Sequence, residues 1–382
     1  MINQQKNNLN RGIIFKMIKV LTNTSIFMKD GKISNSGGKI NIPKGYYAVP
    51  GFIDTHIHGS HGADAMDGTF ESLDHIVKTL AKEGVTSFLP TTMTQEISNI
   101  NKALNNISSY MNNNNIAGQP EILGIHLEGP FINCHHKGAQ PEKFILDPTV
   151  ESFKIFEKEA NNNIRKVTYA PELDKNFEFT KYLSENNIIP SVGHSSANFE
   201  DIEKAISFGL SSVTHFHNGQ SPHHHRTPGV VTAGFAFDEL NTEIIVDGIH
   251  LHPNTVKSVV KIKGPNNVTL ITDAMEAKGL EDGEYKLGGQ KVIKIKNEVR
   301  LESGSLAGSV NTMINSVKNV IEFSGCSLDD AITMACINPA KELGILTRKG
   351  SLDIGKDADI VILDSEFNVV KTICRGKVAF EI

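Results

Sequence analysis

Val49-Pro50-Gly51-Phe52-Ile53-Asp54-Thr55-His56-Ile57-His58-Gly59 is the stretch from which the rest of this chain can be read. Pro50-Gly51 is a turn signal, and Phe52-Ile53 opens an apolar run suited to a buried strand. Strand side chains repeat every second residue, so His56 and His58 are expected on one face. Two imidazoles at the end of a buried strand make poor core but a good half of a metal site. A lone His-x-His among fifteen histidines would carry little weight. Here other stretches supply further ligands at matching places.

Working outward, apolar β-like runs are expected at 51–57, 85–89, 122–127, 166–170, 188–192, 212–215, 243–246 and 268–272. Helical patterns fill the gaps, for example at 72–83, 176–185, 199–208 and 254–261. This alternation predicts a TIM-like (β/α)8 barrel over residues 49–344. Asn-rich patches at 112–115 and 161–163 are expected as surface loops. Residues 281–302, with Gly283 and Gly288-Gly289, are expected as a hairpin inserted after the eighth strand. Short β-like pieces occupy both chain ends, and neither end has enough strands to stand alone. Residues 17–48 and 345–382 are therefore expected to build one small β-sandwich domain together. Residues 1–16, rich in Asn, Gln and Lys, read as a disordered leader, with Met17 a candidate natural start.

A chain of 382 residues can bury a large core, and 39% hydrophobic with 21% charged residues is ordinary for a soluble globular protein. The net charge of −5 argues against nucleic acid or an anionic membrane as partner, but leaves room for a small anionic substrate. Cys134, Cys326, Cys336 and Cys374 show no zinc or redox spacing, which points to a reducing compartment. No apolar run spans a bilayer, and Lys16 and Lys19 interrupt the N-terminal apolar patch. The expected location is the cytoplasm.

In barrels of this kind chemistry sits at the C-terminal ends of the strands. Strand one ends in His56 and His58, and strand three in His126-Leu127-Glu128-Gly129-Pro130. Strand five ends in Gly193-His194-Ser195, and strand six in Thr214-His215-Phe216-His217-Asn218. Strand seven gives Asp247-Gly248-Ile249-His250, and strand eight Thr272-Asp273-Ala274. Any single histidine is more often a core or loop residue, but so many strand ends converging on one rim call for a metal. Imidazole and carboxylate without thiolate suit divalent Zn, Fe(II), Mn or Co rather than Ca or Mg. His56, His58, His194 and His215 with Glu128 are enough for two ions, with Glu128 able to bridge them. Ions about 3.5–4 Å apart can share a hydroxide and lower the pKa of its parent water. Asp273 reads as the proton shuttle beside that water, a role compatible with its also being a ligand.

Pro-Gly-Phe-Ile-Asp-x-His-x-His, His-Leu-Glu-Gly-Pro-Phe, Gly-His-Ser and Ile-Thr-Asp-Ala-Met resemble the amidohydrolase superfamily, and the set is similar to its N-acetylglucosamine-6-phosphate deacetylase branch. The resemblance runs from about Val49 to the C-terminus. It implies a distorted (β/α)8 barrel, with Glu128, His194 and His215 on the principal metal and Asp273 catalytic. Some members replace the first His pair and use one metal, so retention of His56 and His58 here favours a binuclear site. Glu128 stands in for the bridging lysine usual in the superfamily.

The same resemblance implies substrate contacts at Ala139-Gln140, at Asn218-Gly219 beside the sugar phosphate, and at Leu306-Ala307-Gly308 around the acetyl group. It implies that His250 polarises the substrate carbonyl and that Arg226 binds phosphate across a homodimer interface. The chain departs from the pattern with Gly219 for Ala, Gln220 for Met, and His223-His224-His225 before Arg226. That triplet reads as a solvated loop, as do His135 and His136, while His61 and His217 are left unassigned. The implied activity is metal-dependent hydrolysis of N-acetyl-D-glucosamine 6-phosphate to D-glucosamine 6-phosphate and acetate, in amino sugar catabolism or cell-wall sugar recycling. The rivals are the same chemistry on another N-acetylhexosamine phosphate, such as N-acetylgalactosamine 6-phosphate, and a non-catalytic scaffold. A scaffold would be expected to lose ligands or Asp273.

Overall fold

The structure, a computed structural model, describes residue 17 and residues 19–382; the expected leader lies outside the described residues. Eight parallel strands pair in chain order: Phe52–Ile57 (β1), Val85–Thr92 (β2), Ile125–Glu128 (β3), Ile164–Tyr169 (β4), Ile189–Val192 (β5), Ser212–Val213 (β6), Asn241–Ile245 (β7) and Val268–Ile271 (β8). The ends of the series meet where Ile57 bridges Ala274. There the Asp273 N–H donates to the His56 carbonyl at 2.8 Å, and the His58 N–H to the Ala274 carbonyl at 2.8 Å. The expected barrel therefore forms, and its closing seam carries His56, His58 and Asp273.

Helices cover the outside. In Phe70–Ala81 (α1), the Thr69 side chain accepts the Ser72 N–H at the N-terminus, and Leu73, Ile76, Val77 and Leu80 bury one face. The next helix, Ile97–Asn114 (α2), corrects the reading of Asn112–Asn114 as a loop. Its apolar residues Ile100, Ala103, Leu104, Ile107 and Tyr110 keep the helical period, and the last Asn residues continue the helix they define. Residues 161–163 do form a turn, with Asn161 and Asn162 at φ of 48° and 58°, the left-handed region that Asn tolerates.

Two further expectations change. The run at 122–127 splits into Glu121–Ile122 and β3, because Gly124 between them takes a φ of 152°. Residues 281–302 form a three-stranded antiparallel sheet, Gly283–Leu287, Gln290–Ile295 and Glu298–Arg300, rather than a hairpin. The second turn has no glycine; Lys296 supplies the positive φ, at 55°. This sheet packs Leu287, Val292 and Val299 against Met93, Met275 and Ala307.

The chain ends come together as expected. Thr24–Lys29, Lys32–Ser34 and Gly38–Ile42 form one antiparallel sheet. In a second, Tyr47–Pro50 pairs with Ile360–Leu363, which pairs in turn with Val369–Cys374. Ile26, Ile33, Ile42, Ala48, Ile360 and Ile373 pack into one buried cluster shared by the two sheets. Among the described residues no helix is long and apolar enough to cross a membrane.

Candidate active site

His56 and His58 point their Nε2 atoms at the same two carboxylates. The distances to Glu128 Oε2 are 3.3 and 3.1 Å, and those to Asp273 Oδ1 are 3.4 and 3.2 Å. The other Glu128 oxygen, Oε1, lies 2.9 Å from His194 Nε2 and 3.1 Å from His215 Nε2. His56, His58 and Asp273 thus form one group able to hold a metal ion, and Glu128, His194 and His215 a second. One carboxylate faces both groups. The pairing of β1 with β2 shifts register between Asp54 and Ile57, so the ladder is irregular at His56. Simple alternation was therefore only part of the reason that the two imidazoles converge.

The backbone is unusual at the same place. His194, His215 and Asp273 have φ of 48°, 32° and 48°. A non-glycine residue in this region costs about 1–2 kcal/mol. Three such residues, each just beyond a barrel strand, place local strain at one site, as functional sites often do. Phe131 anchors the turn after Glu128, buried edge-to-face against Phe156 and Phe179 at ring separations of 5.9 and 5.2 Å.

The field at the site attracts positive charge. Burial alone would lower the pKa of His58, but the Asp273 and Glu128 carboxylates push it up to about 10. His56 is raised in the same way, against its burial, by Asp273 and Glu128. Burial would raise Glu128, yet His56, His194 and His215 hold it well below the ordinary carboxylate range. His215, by contrast, is lowered by its burial. Four imidazole nitrogens and two carboxylates at these distances suit a divalent cation.

The groups open into a cavity of about 390 Å³. Of the residues singled out from the sequence, His58, Glu128, His194, His215 and Asp273 line it, with His56 fully buried behind them. Ala139, Gln140, Asn218 and Gly219 line it too, as do His250, Leu306 and Gly308. Ala307 is fully buried, its N–H given to the Val299 carbonyl. Gly219 takes a φ of 59°, and a Cβ there would come within 2.9 Å of His194 Nδ1. Arg226 is not brought to this cavity within its own chain. It lies on an exposed stretch with its guanidinium 2.6 Å from His225 Nε2.

An amidohydrolase family model matches residues 47–379. The chain belongs to the amidohydrolase family. It is 43% identical over 373 residues to an N-acetylglucosamine-6-phosphate deacetylase of Bacillus subtilis, covering 95% of this chain and 94% of that protein. It is 36% identical over 330 residues to an N-acetylgalactosamine-6-phosphate deacetylase of Escherichia coli O157:H7, covering 86% and 87%. Among solved structures, a Mycobacterium smegmatis N-acetyl-D-glucosamine-6-phosphate deacetylase variant in complex with N-acetyl-D-glucosamine-6-phosphate superposes with a TM-score of 0.87 at 26% identity. That match covers 95% of this chain and 100% of the other.

Other histidines of this amidohydrolase fall outside the two groups. His126 is buried inside the barrel, with Nδ1 on the Thr55 carbonyl and Nε2 on Thr168 Oγ1. Burial and the neighbouring His56 hold it well below its usual pKa, so it is neutral. His61 pairs with Ser60 Oγ, and burial lowers His217 to about 4. His136 contributes through its backbone, its carbonyl accepting the His194 Nδ1–H at 2.8 Å. Sequence reasoning missed Arg300, which lines the cavity and donates to the Gly304 carbonyl at 2.7 Å. It also missed a fully buried ion pair between Lys166 on β4 and Glu243 on β7, 2.6 Å apart.

His250 has a partner that predicts its pH behaviour. Asp247 Oδ1 accepts the N–H groups of Ile249 and His250, and Asp247 Oδ2 lies 2.7 Å from His250 Nδ1. Burial would lower the His250 pKa, but Asp247, helped by Asp273 and opposed by Arg300, raises it. A raised folded-state pKa means that the imidazolium is present at low pH and is lost as pH rises through the raised value. Activity that needs a proton on His250 Nε2 should therefore fall on the alkaline side. In Asp247→Asn that alkaline limb should move to lower pH, as a pH–rate profile of kcat/KM would show. An unmoved limb would detach it from His250.

Proposed function

We propose that this amidohydrolase hydrolyses the acetamide of N-acetyl-D-glucosamine 6-phosphate, consuming water and giving acetate and D-glucosamine 6-phosphate. The observation that carries this reading is Glu128, whose two oxygens each face one metal-binding group at the floor of a sugar-sized cavity. The donor set fits two divalent transition metals, from among Zn, Fe(II), Mn and Co. His56, His58 and Asp273 would hold one, and His194 and His215 the other, with Glu128 between them. When bound, such ions supply Lewis acidity to the acetyl carbonyl and lower the pKa of the attacking water.

The remaining steps belong to the protein. His250, its Nδ1 tied to Asp247, keeps Nε2 for the carbonyl oxygen and stabilises the charge that develops there. Asp273 takes the proton of the attacking water and passes it to the amine nitrogen, which leaves protonated. Asn218 and Gly219 meet the sugar phosphate, while Gln140, Leu306 and Gly308 bound the space for the sugar and its acetyl group. Gln140 is itself fixed, its Oε1 accepting the Thr94 N–H at 2.7 Å. Arg226, exposed on its own subunit, fits a role across a homodimer interface, where a forked guanidinium contact to phosphate is strong and directional. A phosphosugar substrate and four free cysteines suit the cytoplasm.

The test is acetate release from N-acetylglucosamine 6-phosphate, its galactosamine epimer and unphosphorylated N-acetylglucosamine, by wild type and by Arg226→Ala. Wild type should prefer the first. Arg226→Ala should lose roughly 10–100-fold in kcat/KM on phosphorylated sugar and little on the free sugar. Faster release from the galactosamine epimer, a reading that the relative from E. coli O157:H7 keeps open, would move the assignment to that sugar. Equal losses on both glucosamine substrates would make Arg226 structural. No release from any sugar phosphate by fully metal-loaded protein would favour the scaffold.

A further inference from the structure

Beneath the His56 side of the site lies a charge pair that the chemistry above does not use. Lys166 Nζ, on β4, reaches Glu243 Oε1 on β7 at 2.6 Å and Ser212 Oγ at 3.0 Å. Thr55 Oγ1 donates to the same Glu243 Oε1 at 2.8 Å. Strands β5 and β6 separate β4 from β7, so this contact crosses the barrel interior instead of stitching neighbouring strands. Glu243 is fully buried. Its charge is offset by the equally buried Lys166 ammonium at 2.6 Å.

Oε1 is thus satisfied twice over, while Oε2 has no hydrogen-bond partner. Facing it at 3.7 Å is His56 Nδ1, which is also buried and also without a partner. A buried carboxylate oxygen and a buried ring nitrogen are each costly to leave unpaired. A shift of roughly 0.7 Å would bring the two to an ordinary hydrogen-bond length. Elsewhere in the site the same job falls to backbone carbonyls: His58 Nδ1 lies 3.2 Å from the Thr91 carbonyl and His194 Nδ1 2.8 Å from that of His136. His215 Nδ1 has no partner among the described residues. Of these four imidazoles, His56 is the one whose Nδ1 faces a carboxylate.

We propose that Glu243 is the positioning residue for His56: its Oε2 accepts the Nδ1–H, fixing the tautomer that leaves Nε2 to the metal, while Lys166 and Thr55 hold the carboxylate through Oε1. An ion pair serving structure alone would need only Oε1. An anion behind the imidazole also makes it a stronger donor, so the group containing His56, His58 and Asp273 should depend on Glu243 and the other group should not. The inference rests on the two-metal reading.

The experiment strips metal with a chelator, reloads with Zn(II), and measures two binding constants per chain by chelator competition. Glu243→Gln keeps an acceptor but leaves Lys166 only Glu342 Oε1, 3.5 Å away, as a charged partner, which endangers folding. Lys166→Met/Glu243→Leu/Glu342→Gln removes all three buried charges and is the deciding variant, with thermal melting of the metal-free protein as its folding control. One of its two constants should weaken about 10–100-fold and the other stay at the wild-type value. Two unchanged constants, or two that fall together, would overturn the proposal and leave the pair purely structural. Wild type taking up a single ion would overturn the two-metal reading itself, and Glu243's role with it.

Discussion

Asp273→Asn is expected to lower turnover by a factor on the order of 10²–10⁴ while leaving the fold and much of the metal in place. Asp273 Oδ1 lies 3.4 and 3.2 Å from His56 and His58 Nε2, and its backbone closes the barrel seam through hydrogen bonds to His56 and Ser309. Asparagine preserves those backbone contacts and tolerates the φ of 48° found here. Its side-chain oxygen can still coordinate, but it cannot accept a proton from water and deliver it to an amine. Substrate affinity should change far less, since the phosphate contacts proposed for Asn218, Gly219 and Arg226 are elsewhere. Turnover, metal content and phosphosugar binding measured on one preparation decide the matter. Near-wild-type turnover with full metal would remove Asp273 from the mechanism.

The candidate ligands were legible because each ends or follows an apolar run that reads as a strand. His194 comes after the buried run ending at Val192, and Asp273 after Val268–Ile271, and a barrel gathers such ends on one rim. Glu243 and Lys166 were not legible, although they lie within strands of the same barrel. A charge at the edge of Glu243-Ile244-Ile245-Val246 reads as the polar boundary of a strand, and its partner is 77 positions away. Nothing local marks such a pair; only closure of the barrel makes it buried. Two local misreadings have a different origin. Asn-rich composition suggested a loop at 112–115, but periodicity set by Ile100, Leu104 and Ile107 outweighed it. The third strand after β8, Glu298–Arg300, was missed because its turn uses Lys296 where glycine is the usual signal. With that strand went Arg300, which the cavity displays.

Removing Glu128 should be more damaging than removing either neighbouring pair of ligands. If each carboxylate oxygen serves one metal, Glu128→Ala takes a ligand from both groups at once, leaving His56, His58 and Asp273 on one side and only His194 and His215 on the other. His56→Asn/His58→Asn takes ligands from one group alone. Elemental analysis should therefore find about two transition-metal ions per chain in wild type, about one in the double variant, and fewer still in Glu128→Ala. Loss of metal activation removes several kcal/mol of transition-state stabilisation, so Glu128→Ala should lose on the order of 10³-fold or more in turnover. A wild-type enzyme fully active with one metal would sink the two-metal reading. Glu128→Ala retaining two ions would refute the shared carboxylate. The order of metal loss across the variants matters more than any single value, because only a bridging Glu128 makes one carboxylate cost more metal than two imidazoles.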